Sequence, residues 1–264
     1  MVTIDVSMED FSKLVGLDYT LNSEEMDDLL AFVISEVDSD PEGPDENGHT
    51  KINIEIKTSN RPDLWSAEGI ARILRGRNGL TGVPDLSASP SGFEIDVDPE
   101  LIKIRPYISA SVVKGLKLDD FLIKQMIQIQ DKLDFSYGRK RKRTSIGIYN
   151  ISMLESPIKY TVVDRSFKFQ PLQFEEKITV DEIFDQHPKG IEYRQILDPH
   201  KRVPMLYDKN ELVLSMPPII NSNDVGRVTE ETTDILIEVT GISYEATNVA
   251  LSIVTQALRD RGGK

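Results

Sequence analysis

The chain has 264 residues, 39% apolar and 28% charged, the profile of an ordinary globular protein with room for one large domain or two smaller ones. No apolar run approaches the length of a membrane span and the N-terminus lacks a secretory signal pattern, so a cytoplasmic location is expected. Cysteine is absent, which excludes disulfides, thiolate metal sites and a cysteine nucleophile. The net charge of −13 is concentrated: residues 1–50 hold fourteen acids against one lysine, Lys13, and beyond them acids and bases balance at thirty each. The acidic total therefore does not argue against a nucleic-acid partner for the rest of the chain.

TIDV reads as a strand, and Ser7 with Asp10 resembles a capping box that opens a short helix through Leu14. Asn22 and Glu25 open a second helix, with Met26, Leu29 and Leu30 on one face. FVISEV reads as the next strand, residues 38–50 as a polar loop, and KINIEIK as a strand with Ile52, Ile54 and Ile56 on one side. Asp63 is expected to cap a helix whose stripe is Leu64, Ala67, Ile70, Ala71 and Leu74. These elements predict a small N-terminal α/β domain over residues 1–85, followed by a linker, LSASPSG.

A larger mixed-sheet domain is expected over residues 86–264, which makes the chain α+β (mixed α/β). FEIDVD and IRPYISASVVKGL read as strands. Asp119 caps a long helix bearing Leu122, Met126, Ile129 and Leu133. Five basic residues follow, Arg139, Lys140, Arg141, Lys142 and Arg143, and then the strand TSIGIYN. Ile158 to Val163 is another strand. Thr179 and Glu182 box a short helix, and residues 189–198 form a second one. Ser243 caps a closing helix with a broad apolar face, stopped by Gly262.

Between those helices lies LYDKNELVLSMPPIINSNDVGRVTEETTDILIEVTG, residues 206–241. It opens as a hairpin turning at Asp208-Lys209-Asn210, and Pro217-Pro218 then halts ladder pairing because neither proline donates a backbone hydrogen bond. A polar loop runs through Asn223, Asp224 and Gly226 to the strand DILIEV. In that strand Glu238 shares a face with Leu236. A carboxylate there is costly to bury without a partner, so it lies at the surface or reads something polar.

This stretch, together with Asn60-Arg61-Pro62-Asp63 before SAEGIARILRG and the run Gly138 to Arg143 before TSIGIYN, resembles the beta subunit of the archaeal and eukaryotic type of phenylalanyl-tRNA synthetase. The three stretches lie in the family's order. The resemblance implies a B1-like first domain and a B3/B4-type editing domain, read as the N-terminal part of a longer subunit. It implies hydrolysis of mischarged tyrosyl-tRNA(Phe), with Glu238 accepting the tyrosine hydroxyl where many archaeal relatives carry Asp. A pocket that demands a hydroxyl rejects the analogue lacking it by a factor on the order of 10⁴–10⁵. The bland alternative for Glu238 is a solvated or salt-bridged strand-end glutamate.

The resemblance also puts Leu206 in the pocket as apolar wall and Ser215 as polar contact, against core packing and a backbone-bonded hydroxyl as their alternatives. Asn221 is a candidate for the ester or ribose, or else a turn asparagine. Asn150 is a candidate pocket lining. The run Arg139 to Arg143 is read as contact with the tRNA acceptor end rather than a solvated loop. Tyr160 stands near a histidine of bacterial relatives, so no imidazole base carries over. His49, His187 and His200 are scattered without metal-ligand spacing, and no metal site is expected. No nucleophile elbow, P-loop or dinucleotide fingerprint is present. No cofactor is expected in this region. ATP and Mg2+ belong to the full ligase, whose aminoacylation site lies on the alpha subunit of a heterotetramer. The competing reading is a non-catalytic scaffold that docks tRNA or that subunit.

Overall fold

The computed structural model describes residues 2–80, 83–225 and 228–264. Gly226, expected in the polar loop, lies outside them. The fold is mixed α and β, with four sheets and seven α-helices among the described residues.

The first sheet has Lys51–Ile56 at its centre, antiparallel to Val2–Ser7 and Ser35–Val37. Ile52, Ile54 and Ile56 are all buried, as their alternation predicts. Helices Met8–Val15, Ser23–Leu30 and Ala67–Arg77 accompany it. Ser7 caps the first through the Asp10 amide, and Gly16 ends it in the left-handed region at φ 91°. Asn22 and Glu25 form the expected reciprocal box.

Two local expectations are corrected. FVISEV is not one strand: Ala31–Val33 is a 3-10 turn closed by Ile34 at φ 55°, and the strand starts at Ser35. Asp63 does not cap the third helix. Pro62–Leu64 forms a 3-10 turn in which Asp63 pairs with Arg61, and Ser66 caps the helix through the Gly69 amide at 3.1 Å.

Three strands form the second sheet, with Ile235–Gly241 in the middle of Tyr107–Val113 and Thr144–Asn150, both antiparallel to it. Every residue of the central strand is buried. Its two faces look into different cores. Ile235, Ile237 and Val239 join Ile146 and Ile148 against helices Asp120–Lys132 and Tyr244–Asp260. That core continues without a break into Ile4, Phe11 and Leu74 of the N-terminal part. Leu236 faces a second core with Tyr149, Tyr160, Leu206 and Leu214.

The second core is closed by the third sheet, ordered Ile220–Asn221, Val213–Met216, Arg202–Tyr207, Ile158–Asp164 and Ile95–Val97. Only its last pair is parallel. The hairpin expected at Asp208 is present. Beyond it the chain turns at the cis Pro217-Pro218 bond and pairs again, Ser215 with Asn221 and Met216 with Ile220. The prolines interrupt the ladder only at the turn, where neither owes it a donor. Strands Lys168–Phe169 and Ile178–Thr179 make a small fourth sheet. Its neighbouring helix Val180–Gln186 carries the expected Thr179–Glu182 box.

Polar struts also join the N-terminal part to the rest. The Asp5 amide donates to Gln128 Oε1 at 2.7 Å, and Gln128 Nε2 returns a bond to the Asp5 carbonyl at 2.9 Å. Arg261 reaches Asp10 at 2.8 Å and Glu68 at 2.7 Å.

Candidate active site

The sheet-on-sheet packing puts Glu238 between two layers. Alternation along its strand turns Leu236, Glu238 and Thr240 toward the third sheet. Glu238 is paired in register with Gly147, and Tyr149 stands two residues on along the same strand. Leu206 and Ser215 are cross-strand partners on the opposing sheet. Leu206, Ser215 and Glu238 are 1%, 2% and 3% exposed.

The Tyr149 hydroxyl bridges the two layers. It lies 2.9 Å from Ser215 Oγ and 3.1 Å from Glu238 Oε1. One phenolic proton serves one of these contacts, and the other bond is supplied by the partner group. Glu238 Oε2 is buried without a hydrogen-bond partner among the described residues. Burial pushes the Glu238 carboxyl up to about 8, against the lowering influence of the Tyr149 bond and of Arg105. At neutral pH it is therefore largely protonated, able to donate as well as accept. The same burial, with the nearby Glu238 charge, raises the Tyr149 phenol well above its usual range.

Gly147 makes the arrangement possible. A methyl at its Cα would stand 2.2 Å from the Tyr149 hydroxyl and 2.5 Å from Glu238 Oε1. One step further along the sheet, Arg105 is fully buried and has no carboxylate partner among the described residues. Its Nε donates to Thr240 Oγ1 at 2.9 Å, and its Nη2 to the Thr240 carbonyl and Ser145 Oγ at 2.7 and 3.1 Å. Tyr160 is not near a base role here: its hydroxyl donates to the Arg105 carbonyl at 2.8 Å.

No family model matches the chain. The phenylalanine–tRNA ligase beta subunit of Pyrococcus abyssi is 42% identical over 265 residues, spanning all of this chain and 47% of that protein. That of Thermococcus gammatolerans is also 42% identical, over all of this chain and 46% of its own length. The crystal structure of an N-terminal fragment of the phenylalanyl-tRNA synthetase beta-subunit from Pyrococcus horikoshii matches with a TM-score of 0.93 at 40% identity, over 99% of this chain and 74% of that one. The chain belongs to the phenylalanyl-tRNA synthetase beta-subunit family. It spans about half the length of the curated relatives it matches.

Within this family member the expected site residues divide. Glu238, Ser215 and Leu206 come together. Asn221 is half-buried and pairs through its backbone with Ser215. Asn150 lies at the end of its strand opposite Ile235, and its side-chain carbonyl accepts from the Ser152 amide and hydroxyl at 3.1 and 2.7 Å.

The basic run is not uniform. Arg139, Lys140 and Lys142 are exposed. Arg141 is an internal strut: Nε lies 3.2 Å from Asp134 Oδ2, Nη1 donates to the Ile219 carbonyl at 3.0 Å, and the guanidinium covers the Tyr193 ring at 4.7 Å. Asp134 also accepts from the Ile146 amide at 3.1 Å, and burial raises its carboxyl to about 7.

Two surface cavities, of about 380 and 440 Å3, border neither Leu206, Ser215 nor Glu238. Among the described residues no group of three or more His, Asp or Glu is placed to hold a metal ion. No helix among them is long and apolar enough to cross a membrane.

Tyr149, Gly147, Arg105 and Asp134 are the residues that sequence reasoning missed in these roles. In the sequence both Tyr149 and Gly147 are simply members of the strand TSIGIYN. The one signal for Gly147 is a glycine inside a strand, which marks a close approach of another group.

Proposed function

We propose that this chain hydrolyses the ester joining tyrosine to tRNA(Phe), with residues 86–264 carrying the editing site and Glu238 reading the phenolic hydroxyl. The observation that supports it most is that Glu238 and Ser215 already grip a phenol, that of Tyr149. A buried carboxyl and hydroxyl closing on one phenolic oxygen are the groups tyrosine selection needs. The unpartnered Oε2 of Glu238 adds capacity for an incoming hydroxyl. Tyr149 yields its place as the substrate ring enters against Leu206, because the three pocket residues are closed to solvent with Tyr149 in position.

Ester cleavage needs an attacking water, a proton acceptor and donors to the developing oxyanion. His187 bonds the Leu172 carbonyl at 3.0 Å and His49 stacks on Phe121, so neither serves as base. Water is positioned instead by Asn221 and backbone amides, assisted by the terminal ribose hydroxyl. The exposed members of the basic run meet the acceptor end. Aminoacylation, with its ATP and Mg2+, belongs to the full enzyme and its alpha subunit, and no step here runs through them.

A second reading, a docking surface for tRNA or the alpha subunit without chemistry, draws support from the closure of the same pocket. Incubating the chain with tyrosyl-tRNA(Phe) and phenylalanyl-tRNA(Phe) separates the two. Faster release of tyrosine supports editing. Release of neither, with no binding of free tyrosine, leaves the docking reading.

A further inference from the structure

The cavity of about 380 Å3 lies where the N-terminal part meets the basic turn. Val2, Ser59 and Trp65 line one side, and Ser136, Tyr137, Arg139 and Arg143 the other. Its size falls within the range of small-molecule pockets, roughly 300–1,000 Å3. Among the described residues no carboxylate lines it, in a chain of net charge −13. Arg141 is spent on Asp134 and Arg261 on Asp10 and Glu68, whereas Arg139 and Arg143 have no carboxylate partner among the described residues. The Arg143 guanidinium stands 4.6 Å from the Tyr137 ring centroid, so cation and aromatic face are presented together.

The backbone that presents them is under strain. Arg139, Lys140 and Arg141 are consecutive left-handed residues, at φ 53°, 53° and 64°. Such a conformation is costly for a non-glycine residue, because its Cβ crowds the following carbonyl oxygen. Here it is held by bonds from the Lys140 and Arg141 amides to the carbonyls of Phe135 and Asp134. The strained turn projects two guanidinium groups, whose forked donors match phosphate oxygens, beside an aromatic ring and two serine hydroxyls.

We infer that this cleft holds a nucleoside phosphate of an RNA strand, with Arg139 and Arg143 on the phosphate, Tyr137 against the base and Ser59 and Ser136 available to the ribose. This rests on the reading that the chain meets tRNA, and it assigns the N-terminal part a share in that contact.

Trp65 is the single tryptophan of the chain and lines this cleft, so its fluorescence reports on the cleft wall. The test is a titration of the chain with deacylated tRNA(Phe) and, separately, with adenosine monophosphate. A saturable change of Trp65 emission with tRNA is expected. It should weaken at least tenfold in the Arg139→Ala, Arg143→Ala double variant, with a shallower salt dependence, by about 0.7 in log–log slope for each lost contact to a single-stranded phosphate. Arg143→Lys keeps the charge without the fork and should fall between them. Circular dichroism checks that each variant is folded.

No change with tRNA, equal affinity in the double variant, or a response to the mononucleotide alone would each overturn the inference. Because the tRNA is deacylated, the outcome is independent of ester hydrolysis. Tyrosine release without a Trp65 response would remove the cleft and keep the editing reading, and a response without release would do the reverse.

Discussion

The hydroxyl of Tyr149 stands 3.1 Å from Oε1 of Glu238, with both residues buried between two sheets. The chain thus carries an internal phenol on the group proposed to recognise a phenol. Tyr149→Phe removes that hydroxyl and keeps the ring. It strips Glu238 of its hydrogen-bond partner, which should cost about 1–3 kcal/mol of stability. It should also tighten binding of free tyrosine, since the carboxyl no longer has an internal competitor. Urea unfolding and calorimetric titration with tyrosine read the two effects.

Glu238 and Asp134 should make stability fall as pH rises from about 6 to about 8. Burial raises Glu238 to about 8 and Asp134 to about 7 in the folded chain. Both groups lose their protons near pH 4 when unfolded. Between those limits the folded state binds more protons, so raising the pH favours unfolding. The contribution of Asp134 is lost by about pH 7 and that of Glu238 by about pH 8. Glu238→Gln should flatten the decline between pH 7 and 8. Unfolding free energies measured across this range check the sign, and a rise through it would contradict the assignment.

Gly147→Ala tests the close approach. The added methyl meets the Tyr149 hydroxyl and Glu238 Oε1 at sub-contact distance in a strand buried on both sides. Overpacking of this kind costs about 1–3 kcal/mol. A lowered melting temperature and a reduced preference for tyrosyl-tRNA(Phe) are expected together. An unchanged variant would mean that the two side chains do not sit as described.

Neighbours in the basic run should part ways on mutation. Arg141→Ala leaves the buried Asp134 carboxyl without its ion pair and removes the tie to Ile219, so it should lower stability, by about 3–5 kcal/mol if Asp134 stays charged. Lys142→Ala alters an exposed side chain and should leave stability within about 0.5 kcal/mol. Its effect should fall on tRNA affinity instead. Denaturation curves and filter binding, run on both variants, distinguish the strut from the contact.

Local signals carried most of the fold. The caps at Asn22, Asp119, Thr179 and Ser243 are short-range devices, and each stands where its side chain and spacing place it. Asp63 misled because the preceding proline favours a separate turn, which left Ser66 to cap the helix. The oddity of Glu238 was visible as a carboxylate in an apolar strand. Its partner was not, because Tyr149 lies eighty-nine residues away and is joined to it only by sheet packing. Arg105 and Asp134 were hidden for the same reason: the burial of a lone charge is a tertiary fact.

The most direct measurement is the rate of tyrosine release from tyrosyl-tRNA(Phe), set against phenylalanine release from phenylalanyl-tRNA(Phe), by the chain and its Glu238→Ala and Glu238→Gln variants. A clear preference for the tyrosyl ester is expected in the unaltered chain. That preference should drop at least tenfold in the alanine variant, with hydrolysis of the phenylalanyl ester little changed, and the glutamine variant, which keeps a polar group in place, should lie between. Tyrosine preference surviving intact in both variants would contradict the role given to Glu238.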